Sequence, residues 1–174
     1  MRLFIAINFQ DQTRACLAAL RDQLRARSQS GDFSQTENLH LTLAFLGECD
    51  KKQANAAKIA IKTIAFAPFE ISIERVGHFK HDGGDLWWAG LAASERLVDL
   101  QSQLAARLTA AGFKLEKRLY QPHITLARQV ISRAAPWGIE PFGETVNTMY
   151  LMKSERLEGR LRYTEALPDP EPSL

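Results

Sequence analysis

The stretch HLTLA at positions 40–44 returns as HITLA at 123–127, and no other feature constrains the fold of this 174-residue chain so tightly. In each copy a histidine and a threonine alternate with aliphatic residues, the pattern of a β-strand whose two faces meet different surroundings. His40 and Thr42 share one face, as do His123 and Thr125, while Leu41, Leu43, Ile124 and Leu126 take the other. Taken alone, either motif is as readily a hydrogen-bonded core pair as half of a reactive site. Taken together they are not. Nine threonines in 174 residues give four histidines about 0.2 His-x-Thr matches by chance, and the chain has two.

The rest of the chain follows the same spacing. A shift of 83, which carries His40 onto His123, also carries Leu3, Phe4, Ile5 and Ala6 onto Leu86, Trp87, Trp88 and Ala89. It carries the helical pattern over 11–28 onto that over 94–111. Strand, helix and histidine strand therefore occur twice in one register, in units of about 2–46 and 85–129, as in a duplicated unit. Two such units predict two lobes with their histidine strands facing a shared cleft.

Between these anchors, Leu17, Leu20 and Leu24 form one stripe of the first helix. A looser polar stretch, 28–38, leads into the first histidine strand, and 51–65 reads as a second amphipathic helix. Alternation predicts a strand over 68–79 with Phe69, Ile71 and Ile73 inward, then a turn at HDGGD and a strand over 86–92. The third helix ends at Gly112, a residue suited to the left-handed cap position. Strands over 122–130, 143–155 and 160–166 complete a single two-lobed domain of 1–167, leaving a proline-rich tail at 168–174.

Composition narrows the function. Twenty-two Lys and Arg against 20 Asp and Glu give a net charge of +2, too little to grip long duplex nucleic acid or an anionic membrane. It leaves room for a small anion in a local basic pocket. Cys16 and Cys49 form neither a metal spacing nor a disulfide framework, and no apolar run reaches a membrane-spanning length. A soluble, reduced, cytoplasmic protein is expected. Glycine-rich phosphate loops, a Gly-x-Ser-x-Gly elbow and His-Glu-x-x-His are absent from the sequence. His78 and His81 are spaced for a metal pair, but only Asp82 and Asp85 stand nearby, so no metal is expected. The basic face of the first helix, Arg14, Arg21 and Arg25, reads as solvated.

Two imidazoles titrating near neutrality suit a reaction that needs a base and an acid together. In-line displacement at phosphorus is such a reaction, with attacking and leaving oxygens on opposite sides. A histidine on each wall serves one oxygen each, and each threonine hydroxyl can hold a non-bridging oxygen. Arg128, five residues after His123, has the charge and planar fork for a phosphate. Simple strand parity puts it on the wrong face, so the chain must bend to deliver it.

The opening RLFIAI, NLHLTLAFLGE, GHF…LWWAGL and PHITLAR together closely resemble the two-histidine (2H) phosphoesterases. Within them the chain looks like the bacterial and archaeal RNA 2′,3′-cyclic phosphodiesterases, historically called 2′-5′ RNA ligases. The resemblance runs from Arg2 to about Tyr163. It implies an α+β fold, two lobes with antiparallel sheets flanked by helices around a central cleft, and no cofactor. It implies hydrolysis of a terminal 2′,3′-cyclic phosphate to a 2′-phosphate, with His40 as proton donor and His123 as proton acceptor. Thr42, Thr125 and Arg128 would hold the phosphate and Phe45 would stack on the terminal base. Tyr120, in the loop KRLYQP before the second motif, would join the substrate contacts. The partners implied are RNA 3′ ends or small cyclic nucleotides, with the protein a monomer away from membranes. Another cyclic nucleotide or a 2′-5′ linkage as substrate, and a non-catalytic RNA-end binding module, are the alternative expectations.

Overall fold

A computed structural model describes residues 1–166; the tail at 168–174 lies outside the described residues. In chain order the elements are β1 (Arg2–Asn8), α1 (Asp11–Ala26), β2 (Ser28–Phe33), a 3-10 turn (Thr36–Asn38) and β3 (His40–Glu48). There follow α2 (Lys51–Lys62), β4 (Phe69–Phe79), β5 (Asp85–Leu91) and α3 (Glu95–Ala110). β6 (His123–Ser132), β7 (Trp137–Val146), β8 (Tyr150–Leu157) and β9 (Arg160–Glu165) close the described chain.

The helices form where the apolar spacing places them. α1 buries Thr13, Leu17, Leu20 and Leu24, and α3 buries Leu97, Leu100, Leu104 and Leu108. Each leucine removed from water contributes roughly 1.5–3 kcal/mol. α2 starts on a capping box, with the Asp50 carboxylate accepting from Gln53 N–H and the Gln53 side chain accepting from Asp50 N–H. α3 ends as a Schellman turn: Gly112, at φ +94°, donates to the Thr109 carbonyl, and Phe113 donates to that of Leu108. No helix among the described residues is long and apolar enough to cross a membrane.

Two antiparallel sheets carry these helices in an α+β fold. One has the order β3-β1-β8-β9 and the other β2-β6-β5-β4-β7. The two sheets share a pairing pattern, since β3-β1-β8 in one matches β6-β5-β4 in the other. The third strand of each set comes from outside its repeat. β8 returns from the end of the chain, whereas β4 immediately precedes β5. β3 and β6 lie against each other where the sheets meet, so the two histidine strands are neighbours in space.

Three expectations need correction. The stretch 28–38 contains a strand, β2, which pairs with β6 at the sheet edge. Its sequence, SQSGDF, is polar because most of it faces solvent. The stretch 143–155 is two strands in two different sheets, β7 ending at Val146 and β8 beginning at Tyr150. β7 begins earlier, at Trp137, and accommodates Pro141 because it is an edge strand. The repeat is also not in one register. Asn8 faces His40 while Gly90 faces His123, an offset of 82 for the first strands. Thr13, Leu20 and Leu24 of α1 match Leu97, Leu104 and Leu108 of α3, an offset of 84. The histidine strands keep 83, as does the remaining buried helix pair, Leu17 and Leu100.

Candidate active site

Both histidine strands are bulged at the same place. In β3, Ala6 faces Thr42 but Ile5 faces Ala44; in β6, Trp88 faces Thr125 but Trp87 faces Ala127. The extra residue turns two successive side chains inward, and Leu43, Ala44, Leu126 and Ala127 are all buried. Every later residue is thereby moved to the other face. Arg128 and Phe45 thus emerge on the same face as the histidines and threonines, at positions 83 apart. This is the bend that strand parity required of Arg128. Gln129, at φ +52°, then turns the strand again.

The histidines are held alike. Nδ1 of His40 lies 2.7 Å from the Asn38 carbonyl, and Nδ1 of His123 lies 2.7 Å from the Gln121 carbonyl. A carbonyl only accepts, so both Nδ1 atoms carry the proton, and Nε2 is the working nitrogen of each ring. His40 Nε2 is 2.8 Å from the Thr42 hydroxyl. Burial holds both imidazoles below their ordinary value of 6.5, opposed by the backbone carbonyl that each ring donates to and reinforced by the charge of Arg128. His123 and Arg14 add smaller lowering effects on His40.

Aromatic rings fix the planes. His40 packs against Phe4 (4.9 Å between centroids) and meets Tyr163 edge-on (5.0 Å); Phe45, which is exposed, lies 6.5 Å from Phe4. Phe79 meets His123 edge-on at 5.2 Å and touches Trp88. Trp88 can lie across the sheet because Gly77 and Gly90 leave room; a Cβ at either would come within 2.5–2.7 Å of its ring. Burial raises the Tyr163 hydroxyl above its usual range.

The segments before the two motifs reach across to each other. Tyr120 donates its hydroxyl to the Thr42 carbonyl at 2.8 Å, and burial raises its pKa further still. Ser34 donates its hydroxyl to the Thr125 carbonyl at 3.1 Å and its backbone N–H to the Leu126 carbonyl. Each motif threonine is therefore tied through its backbone to the stretch that leads into the other motif. Tyr120, expected among the substrate contacts, has its hydroxyl turned to this clasp.

His40, Thr42, His123, Thr125, Arg128 and Phe45 are thus gathered where β3 meets β6. Sequence reasoning missed Phe4, Phe79 and Tyr163 because none has a fixed spacing to a motif, and Asn38 because it acts through its backbone carbonyl, which its residue type does not reveal. Pairing of β9 to β8, and of β8 to β1, brings Tyr163 in. His78 and His81 take no part. His78 stacks on Trp87 at 4.6 Å with Nδ1 3.2 Å from the Asp85 carboxylate, off the line of a hydrogen bond. His81 N–H is bound by the same carboxylate. Two concavities elsewhere, about 670 Å³ beside Ser94 and Arg96 and about 150 Å³ beside Asn8 and Glu144, contain neither motif histidine.

Two imidazoles in matched tautomers, with hydroxyls and a guanidinium on one face, form a set that can hold a phosphoester and exchange protons with it. Known proteins agree with that chemistry. Residues 9–158 match the model of the 2′-5′ RNA ligase superfamily. An Archaeoglobus fulgidus protein named RNA 2′,3′-cyclic phosphodiesterase is 30% identical over 151 residues, 83% of this chain and 85% of its own. One of the same name from Escherichia coli is 28% identical over 94% of this chain and 92% of its own. The crystal structure of E. coli LigT complexed with 3′-AMP superposes with a TM-score of 0.82 at 27% identity, covering 95% of this chain and 94% of that one. The chain belongs to the 2′-5′ RNA ligase superfamily, the two-histidine phosphoesterases.

Proposed function

We propose that this protein hydrolyses the 2′,3′-cyclic phosphate at RNA 3′ ends, or of small cyclic nucleotides, to a 2′-phosphate. The observation that carries the reading is the matched pair of Nε2 atoms on facing strands, each presented by a backbone carbonyl on Nδ1. The names of the relatives support the substrate. His123 Nε2 has no hydrogen-bond partner among the described residues and accepts a proton from water as its oxygen bonds to phosphorus. His40, as imidazolium, gives its Nε2 proton to the departing 3′ oxygen as the P–O3′ bond breaks. Burial opposes that cation, while the Asn38 carbonyl and the charge of a bound phosphate favour it. Thr42, Thr125 and Arg128 hold the non-bridging oxygens, and Phe45 stacks on the terminal base. The products are a 2′-phosphate and a free 3′ hydroxyl.

Incubation with a 2′,3′-cyclic mononucleotide in EDTA tests this directly. Release of the 2′-phosphate is expected. Loss of activity restored only by a divalent ion overturns the scheme, and saturable binding without product identifies a binding module instead.

A further inference from the structure

Three arginines share the outer side of α1, and two of them are accounted for. Arg21 donates to the Ser34 carbonyl (2.9 Å) and the Thr36 hydroxyl (3.0 Å) and pairs with Asp22. Arg25 pairs with Asp22 and lies 4.8 Å over the Phe33 ring. Arg14 is different. It is half-buried, its Nε is shut off from solvent, and no described residue hydrogen-bonds or ion-pairs with its guanidinium. An Nε–H removed from water without a partner is costly, and such a cost persists where an anion from outside completes the pairing.

Its position says which anion. Arg14 lies two turns, ~10 Å, up the α1 stripe from Arg21, which is pinned to the segment leading into His40. Arg128 stands beside both histidines and serves the reacting phosphate, whereas the field of Arg14 reaches His40 more weakly. A second phosphate on the same strand fits a site so offset. We propose that Arg14 binds an internal phosphodiester of the RNA, upstream of the reacting terminus, and gives the enzyme a preference for oligonucleotides over mononucleotides. This rests on the proposed reaction for its substrate class and adds a subsite to it.

Arg14→Met and Arg14→Lys, compared with the unaltered protein, test the subsite. The substrates are a cyclic-phosphate-ended oligoribonucleotide and the cyclic mononucleotide. Arg14→Met should lower the oligonucleotide-to-mononucleotide ratio of kcat/KM by ~10- to 100-fold, the worth of one hydrogen-bonded charge pair. The salt dependence for the oligonucleotide should flatten by about 0.7 in the log–log slope. Arg14→Lys should recover part of the ratio. Arg14→Met should melt no lower than the unaltered protein, because an Nε–H buried without a partner has gone. An unchanged ratio overturns the proposal. So does a lower melting temperature with equal losses on both substrates, the signature of a structural arginine. Binding of 2′-phosphate-ended oligonucleotide against the 2′-mononucleotide reads the same ratio without turnover. A protein inactive on cyclic phosphates but with Arg14-dependent length preference loses the reaction and keeps the subsite.

Discussion

His40 and His123 occupy equivalent places, yet their Nε2 atoms differ: one is bound to a threonine hydroxyl, the other has no partner among the described residues. That asymmetry assigns the roles a test. His40→Ala and His123→Ala should each lose ~10²–10⁴-fold in kcat, the usual share of general acid–base catalysis. The double variant should lose less than the product of the two, because the groups act in one step. A nitrophenolate leaving group needs little protonation, so it should restore much of the rate to His40→Ala and little to His123→Ala. Restoration of His123→Ala alone reverses the assignment, and undiminished turnover in both variants moves the site elsewhere. Thr42→Ala and Thr125→Ala should show milder, similar losses, one hydrogen bond apiece.

At the scale of elements, each histidine strand depends on a hydroxyl from the segment before the other. Tyr120→Phe leaves the Thr42 carbonyl buried without that partner and should cost ~1–3 kcal/mol in unfolding free energy. Ser34→Ala should cost less, because the Ser34 N–H still holds the neighbouring Leu126 carbonyl. Urea unfolding of the two variants measures both, and an unchanged stability in Tyr120→Phe, which keeps the ring, would mean that Tyr120 is no more than packing. The sequence made the histidine strands, the three helices and their inward leucines legible, because strong periodicity and capping residues are local signals. It hid β2, whose edge position leaves its side chains polar and without alternation. It hid the bulges as well, since an extra residue shows only against the partner strand, and with them the true face of Arg128. Spacing cannot tell a paired surface arginine from Arg14, whose Nε is buried without a partner.

Over the whole molecule, the buried titrating groups of the site bound its stability from both sides. Burial holds His40 and His123 below 6.5 in the folded protein, while in the unfolded chain they return to it. Between those values the unfolded chain binds more protons, so stability rises with pH there. Their contribution is complete above 6.5 and is lost as pH falls through the folded values. Tyr120 and Tyr163 act in the opposite sense. Their folded values lie above 10.0, so their contribution is complete below 10.0 and is lost as pH climbs through the folded values. Chemical unfolding from pH 4 to pH 11 should therefore show a plateau between about 6.5 and 10, falling on each side. Replacing both histidines with glutamine should flatten the acid limb and leave the alkaline one. Tyr163→Phe should remove one share of the alkaline limb and leave the acid one, because phenylalanine keeps the ring against His40 while Tyr120 still titrates. The activity should follow the same acid displacement. A bell in kcat/KM centred below 6.5 is expected for the free enzyme, whose two imidazoles both titrate low. In kcat the alkaline limb should move up, since a bound phosphate favours the imidazolium of His40. If the acid limb of stability survives the double glutamine variant, the histidines are not the groups that burial has shifted.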